Sequence, residues 1–200
     1  MIGQHRIEGY AIVSADGMIA DGNGVMPRVI RNDADQKFLQ SELDRAALVV
    51  HGRHSYEGGP RAARRKRLIL TRAIPGIAPD PSHPNAFLWN PAGATLEQAI
   101  AVLRPGDGMI AVVGGTEVFG LFLSLYDAFH LTRAAYATIP GGRAAFPQVG
   151  PHLTPDDVLT RNGLRPTTRR DIDPEAGIAL TNWERQPTWR TGQSPLIFAT

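Results

Sequence analysis

The sequence contains no cysteine, and this absence excludes several kinds of chemistry. With no thiol among its 200 residues, the chain cannot form a disulfide, use a thiol nucleophile or bind zinc through sulfur. It also lacks any apolar run close to the ~18 residues that a membrane span needs, and its N-terminus has no charged-then-apolar signal pattern. These absences predict a cytoplasmic protein with no membrane partner.

An excess of charge of one sign is also missing. The sequence has 21 Lys and Arg against 19 Asp and Glu, which gives a formal net charge of +2. A nucleic-acid-binding protein would show a denser basic face with base-stacking aromatic residues. The one concentrated basic stretch is 61–67, which suits an anionic small molecule. The acidic and histidine residues show no metal-ligand spacing, so we expect neither a metal site nor a nucleic-acid partner.

What is present is the composition of a globular protein, with 42% hydrophobic and 20% charged residues. Strand-like and helix-like segments alternate, which predicts a mixed, mostly parallel sheet with helices on both faces in one α/β domain over 1–185. An extension follows at 186–200. Strands are predicted at 6–14, 47–51, 67–71, 87–89, 109–113 and 128–137, helices at 34–46, 96–103 and 117–125, and a C-terminal antiparallel pair at 158–170 and 177–184.

The most informative stretch is 110–123, where a short apolar strand ends in Gly114-Gly115 and a helical pattern begins at once. Glycine allows a ligand to approach the backbone closely, and the first free N–H groups of a helix favour negative charge. Such a turn suits a phosphate or pyrophosphate, although tight packing alone would also explain it. The stretch is not a Gly-x-Gly-x-x-Gly fingerprint, so an ordinary Rossmann site is not predicted.

Five segments together resemble the dihydrofolate reductase superfamily, which includes the pyrimidine reductase domain of riboflavin biosynthesis. They occur in that superfamily's order and spacing, within 6–185, at 9–20, 52–57, 66–71, 112–123 and 131–132. The resemblance implies a three-layer α/β fold. It also implies an NADPH site at the carboxyl ends of the strands, where ligands of open α/β sheets collect, and a cis peptide bond between Gly114 and Gly115.

The resemblance also implies roles for individual residues at the cofactor site. Arg53 would contact the 2′-phosphate of NADPH, His54 and Ser55 would lie nearer the pyrophosphate, and Thr71 with Arg72 would supply the second 2′-phosphate contact. A solvated Arg-His turn is the alternative. The complete set implied for NADPH is Ala11, Ile19, Ala20, Gly52, Arg53, His54, Ser55, Thr71, Arg72, Gly114, Gly115, Thr116, Glu117 and Val118.

Three positions after the glycine pair depart from the superfamily pattern: Thr116 and Glu117 replace the more usual glycine and basic or small residues, and Phe119 is the third. Glu117 would lie beside the pyrophosphate, which is unfavourable unless its side chain points into solvent. Phe119 occupies a position where a tyrosine hydroxyl commonly approaches the nicotinamide. The pair Asp16-Gly17, in contrast, more closely resembles the riboflavin-pathway branch.

Asp33 is the candidate proton donor, because it aligns without a gap with the carboxylate of the folate reductase pterin site. Such a group would help to protonate a ring nitrogen during hydride transfer. The competing interpretation is that Asp33 is the N-cap of the following helix, with Gln36 three residues later. Asp35 is the other candidate acid. Thr132 matches the hydroxyl partner of the carboxylate in the superfamily.

Phe38 and Arg65 match substrate-binding positions. Arg65 aligns with the arginine that holds the glutamate tail in folate reductases, and it would equally suit a ribose phosphate. Because Arg61, Arg64 and Arg67 crowd the same stretch, a solvated basic turn is an equal alternative.

These features predict an NADPH-dependent reductase that transfers hydride to a small pyrimidine- or pteridine-type heterocycle, as in 5-amino-6-(5-phosphoribosylamino)uracil reductase. True dihydrofolate reductase and a non-catalytic nucleotide-binding protein are the alternatives. A homodimer is also expected, with the apolar tail residues Leu196, Ile197 and Phe198 packed on the neighbouring subunit, unless the tail folds back on its own domain.

Overall fold

A computed structural model describes residues 5–55 and 61–186 of the chain. The strands are β1 (Ile7–Ser14), β2 (Met18–Ala20), β3 (Leu48–Gly52), β4 (Arg67–Leu70), β5 (Ile77–Pro79), β6 (Ala86–Trp89), β7 (Ile110–Val112), β8 (Ala128–Ala134), β9 (Arg143–Ala144), β10 (Leu164–Asp173) and β11 (Ile178–Arg185). The α-helices are α1 (Asp33–Arg45), α2 (Leu96–Leu103), α3 (Thr116–Leu121) and α4 (Pro155–Arg161).

Nine of the strands form one mixed sheet in the order β10-β11-β8-β1-β7-β3-β4-β6-β5. Its central six strands, from β8 to β6, pair in parallel. The edge strand β5 is antiparallel, as is the C-terminal pair β10–β11 at the opposite edge. A separate antiparallel pair, β2–β9, completes the fold. The predicted mostly parallel α/β sheet with a C-terminal antiparallel pair is therefore confirmed.

Helices cover both faces of the sheet and make three layers. Side chains of α2, α3 and α4 share the large core with one face, in which the rings of Phe119, Phe122 and Phe129 pack together with Tyr126. Helix α1 covers the other face, where Leu43 is buried with Tyr10, Val49 and Ala111. The first turn of α1 lies beside β8, where Asp35 is next to Thr132.

The predicted strand 158–170 is wrong in its first part, where the structure has helix α4. Thr154 caps this helix, and Thr154 and Asp157 form a reciprocal capping box. Pro155 follows at the first helical position, where its missing N–H costs nothing. Gly163 then adopts a positive φ of 83°, so the chain turns into β10. The third predicted helix is shorter than 117–125, since α3 ends at Leu121.

The C-terminal tail, including Leu196, Ile197 and Phe198, lies outside the described residues, so the expected homodimer stays a prediction. Within residues 5–55 and 61–186, no helix is both long enough and apolar enough to cross a bilayer.

Candidate functional site

The carboxyl ends of β3, β4 and β7 bring the predicted nucleotide-binding turns together. The Gly52 N–H donates to the carbonyl of Gly114 at 2.8 Å, and the Arg53 N–H donates to that of Leu70 at 3.2 Å. The Ser55 N–H closes the turn on the Gly52 carbonyl at 2.9 Å. Segments 52–55, 70–72 and 112–115, which are separate in sequence, therefore meet at the carboxyl ends of these central strands.

Where these turns approach each other, glycine is required at Gly114, is favoured at Gly52, and leaves room for a side chain only at Gly115. Gly114 has a φ of 98°, and a Cβ there would lie 2.8 Å from the Phe119 ring. A Cβ on Gly52 would come within 3.3 Å of Val118, and one on Gly115 within 3.5 Å of the Ser55 hydroxyl oxygen. The peptide bond between Gly114 and Gly115 is cis, as expected.

Two arginines at these carboxyl ends are available to bind an anion. Arg53 and Arg72 follow the neighbouring strands β3 and β4, both are exposed, and neither forms an ion pair with a described residue. Thr71 is buried and accepts a hydrogen bond from the Ala73 N–H at 3.1 Å, which fixes the turn that carries Arg72. Two guanidinium groups on fixed turns suit a phosphate group.

The departures from the superfamily pattern at Thr116, Glu117 and Phe119 have structural explanations. The Glu117 side chain is exposed, so it need not oppose a phosphate. Phe119 is only 2% exposed and contacts Phe129 and Phe146 at ring-centroid distances of 5.5 and 6.0 Å. It belongs to the core, whereas the superfamily tyrosine would reach the nicotinamide. Thr116 donates its hydroxyl to the carbonyl of Ala144 at 2.5 Å, which ties α3 to β9.

The predicted nicotinamide contacts lie on the neighbouring strands. Ala11 is half-buried on β1, which pairs with β7, and Ile19 and Ala20 lie on β2. Asp16 has a structural partner: its carboxylate accepts the Ile139 N–H at 3.1 Å. Ala11 therefore lies on the strand next to β7, which leads into the glycine pair, whereas Asp16 holds a loop.

Both interpretations of Asp33 need correction. The N-cap of α1 is Asn32, whose side-chain oxygen accepts the N–H groups of Ala34 and Asp35 at 2.9 and 3.1 Å. Asp33 is thus the first helical residue, and its side chain is exposed. The helix therefore begins one residue earlier than the cap at Asp33 would require, and the buried acid of its first turn is Asp35.

Asp35 is the buried carboxylate of this region. It is 9% exposed, and its carboxyl lies beside the hydroxyl of Thr132, which is 1% exposed on β8. Burial raises the pKa of Asp35, and the Thr132 hydroxyl opposes that rise only in part. A carboxyl with a raised pKa, held against a hydroxyl at the carboxyl end of a parallel strand, can hold a proton for a bound ring.

A second polar group lies on the same face and was not predicted from the sequence. The Tyr10 hydroxyl donates to Glu8 at 2.9 Å, and the Nε2 atom of His130 lies 3.1 Å from the same carboxylate oxygen. Burial raises the pKa of Glu8, but hydrogen bonds from His130, Tyr10 and Arg6 outweigh it and lower the pKa to about 2. Polar residues at alternate positions of an apolar strand were the available signal.

Arg65 is occupied within the protein, which corrects its prediction as a substrate ligand. It is 7% exposed, and its guanidinium donates to Asp44 at 2.5 Å and to the Gln40 side chain at 2.8 Å. Arg65 therefore fixes α1 to the segment that precedes β4. Phe38 is half-buried on α1 one turn after Asp35, with its ring 5.9 Å from that of His130.

No cluster of three or more metal-ligating side chains occurs in the two described ranges.

Comparison with known proteins supports the fold. No protein-family model matches the chain, and no curated protein matches it in sequence. Among solved structures, a riboflavin biosynthesis protein from Shewanella sp. PV-4 is similar, with a TM-score of 0.62, 19% identity and coverage of 90% of this chain and 99% of that one. A dihydrofolate reductase from Enterococcus faecalis, complexed with NADP(H), gives a TM-score of 0.64 at 17% identity, covering 92% and 98%.

A third similar structure is the Thermotoga maritima diaminohydroxyphosphoribosylaminopyrimidine deaminase/5-amino-6-(5-phosphoribosylamino)uracil reductase. Its TM-score is 0.62 at 14% identity, and the match covers 92% of this chain but only 57% of that one. The chain therefore has a dihydrofolate reductase-like fold, shared with reductases of two pathways.

Proposed function

We propose that the protein is an NADPH-dependent reductase that transfers hydride to a small heterocyclic substrate of the aminopyrimidine type. The observation that carries the proposal is the Asp35–Thr132 pair, a buried acid at the carboxyl end of β8. Like the glycine turns at 52 and 114–115, the pair lies toward the carboxyl ends of the parallel strands. Reduction by hydride transfer needs both a cofactor and a proton source, and the carboxyl ends of these strands offer a position for each.

The cofactor would be held mainly by the turns that follow β3, β4 and β7. Arg53 and Arg72 would bind the 2′-phosphate, while the Ser55 hydroxyl and the backbone at Gly115 would bind the pyrophosphate, since no Cβ obstructs that approach. When bound, NADPH supplies the hydride. The protein residues would supply orientation, and the Asp35 carboxyl, whose pKa burial raises, would donate the balancing proton to the ribose ring oxygen as hydride adds to C1′ and the C1′–O bond opens.

The choice of an aminopyrimidine over dihydrofolate rests on Arg65. A folate reductase needs a free guanidinium for the glutamate tail, whereas Arg65 is committed to Asp44 and Gln40. A ribosyl phosphate could use the exposed Arg64 instead, whereas Arg61 pairs with Asp44 at 3.1 Å.

The test is a turnover screen of the full-length protein with NADPH and each candidate substrate. We expect NADPH oxidation with 5-amino-6-(5-phosphoribosylamino)uracil and much slower oxidation with dihydrofolate. Faster turnover of dihydrofolate would transfer the assignment to folate reduction. NADPH binding without turnover of any pyrimidine or pteridine would identify a nucleotide-binding protein that is not an enzyme, and would contradict the proposal.

A further inference from the structure

A cavity of about 300 Å³ opens between α1 and the strands β8, β10 and β11, and none of the glycine-turn residues lines it. Phe38 and Glu42, one turn apart on α1, form one wall. Thr168 and Arg170 on β10 form the other, and the floor consists of His130, Leu180 and Asn182. This volume is at the lower limit for small-molecule sites. It is large enough for a single aromatic ring.

A chain of hydrogen bonds fixes the polar part of the floor. The Nε2 atom of His130 lies 3.1 Å from Glu8, and its Nδ1 atom lies 2.9 Å from the Asn182 side-chain oxygen. The Asn182 amide nitrogen then donates to the Thr168 hydroxyl oxygen at 2.8 Å. Because Thr168 accepts that bond, its own hydroxyl hydrogen is left to donate, and no described residue receives it.

The second donor is Arg170. Its guanidinium carbon lies 5.9 Å from the centre of the Phe38 ring, and it forms no ion pair with any described residue. Thr168 and Arg170 are two residues apart on β10 and lie opposite Asn182 and Leu180, so both side chains lie on the face of α1. The cavity thus presents two donors beside an aromatic ring and the buried Leu180 side chain.

Glu42 is the one acidic group of the lining. It pairs with Arg45 at 3.4 Å, which reduces, without removing, its repulsion of an anion.

We propose that this cavity is a second binding site, for a small aromatic carboxylate: the carboxylate would accept hydrogen bonds from Thr168 and Arg170, and the ring would pack on Phe38 and Leu180. The site is separate from the glycine turns, and the inference does not rest on the proposed reductase activity.

The test uses benzoate as the probe and the full-length protein without nucleotide. Benzoate is titrated while backbone amide shifts are recorded by NMR, and the dissociation constant is measured by calorimetry. We expect shifts at 168, 170 and 182. Arg170→Ala should weaken binding about tenfold, because it removes a charge-assisted hydrogen bond. Glu42→Gln should tighten binding, because it removes the opposing charge.

Arg169→Ala is the matched control. Arg169 lies between the two donors but pairs with Thr181 on the other face of the sheet, and its side chain is 71% exposed. It should leave the affinity unchanged. Equal weakening by Arg169→Ala and Arg170→Ala would overturn the proposal, as would acetate binding as tightly as benzoate or benzoate shifts that miss the cavity. Because benzoate binding is measured without any turnover assay, absence of binding would leave the proposed reductase function untouched.

Discussion

At the scale of single residues, Asp35 combines a cost to folding with a candidate role in chemistry. Its pKa is raised by burial, so the ionised form is disfavoured in the folded protein. At low pH the carboxyl is protonated in both the folded and the unfolded state and costs no stability. As the pH rises through its folded pKa, the free energy of unfolding falls. At neutral pH the carboxyl therefore reduces the free energy of unfolding.

This balance gives a prediction with two signs. Asp35→Asn should raise the melting temperature at neutral pH, because it removes the ionisation penalty, and should lower kcat by about 10²–10⁴, because it removes the proton donor. Asp33→Asn, one half-turn away and exposed, is the control. It should change stability by only a few tenths of a kcal/mol and leave kcat unchanged. Full activity in Asp35→Asn would remove the carboxylate from the mechanism.

Glu8 gives a prediction of opposite sign. Its folded pKa is about 2 against an ordinary value of 4.5, so its contribution is present above pH 4.5 and is lost as the pH falls toward 2. We expect that contribution to be about 1–2 kcal/mol after solvent screening. Urea titrations between these pH values should show a smaller loss of stability in Glu8→Gln than in the parent protein.

The control for Glu8 is Glu184→Gln, which removes the other carboxylate bound to Arg6. Its side chain is 40% exposed, so the variant should keep the acid slope of the parent protein. An unchanged slope in Glu8→Gln would show that the carboxylate pairs only weakly with His130 and Tyr10 in solution.

At the scale of elements, the turns after β3 and β4 carry the cofactor prediction. If Arg53 and Arg72 bind the 2′-phosphate, NADPH should raise the melting temperature more than NADH at equal concentration. A tenfold difference in affinity at saturation corresponds to about 1.4 kcal/mol. Arg53→Ala and Arg72→Ala should each reduce the difference, whereas Arg161→Ala, on the distant α4, should not. Equal shifts with both cofactors in the parent protein would rule out a 2′-phosphate site.

The bounds of the helices and strands show what the sequence could and could not predict. Apolar runs bounded by glycine and proline located β1, β3, β4, β7 and α2 to within two residues, because each of these elements is buried on at least one side. The Thr154-Pro155 pair is typical of a helix start, but the apolar pattern of the residues that follow it favoured a strand instead of α4.

Site residues were harder to predict than elements. Asp33 and Asp35 lie two residues apart on α1, so their side chains point about 200° apart around the helix axis, and only Asp35 is buried. Arg65 shows the other limit. Its partners, Gln40 and Asp44, lie more than twenty residues earlier, and local sequence does not reveal such a pairing. Gly52 and Gly114 were predictable, because a Cβ at either position would crowd α3, at 3.3 Å from Val118 or 2.8 Å from the Phe119 ring.

At the scale of the whole molecule, the homodimer predicted from the sequence can be tested directly. Light scattering at micromolar concentration should give twice the chain mass of 21.7 kDa. Truncation after Gln186 should shift the mass toward the monomer if the apolar tail residues anchor the partner. A monomeric parent protein would contradict the dimer and leave the reductase proposal intact.

The most direct test of the central claim is isotope tracing of the hydride. The protein is incubated with NADPH deuterated at C4, in each of the two stereochemical forms, together with 5-amino-6-(5-phosphoribosylamino)uracil, and the product is analysed by mass spectrometry. We predict that deuterium appears in the reduced product with one of the two forms and not with the other. A product without deuterium from either form, or no reduced product at all, would contradict the account.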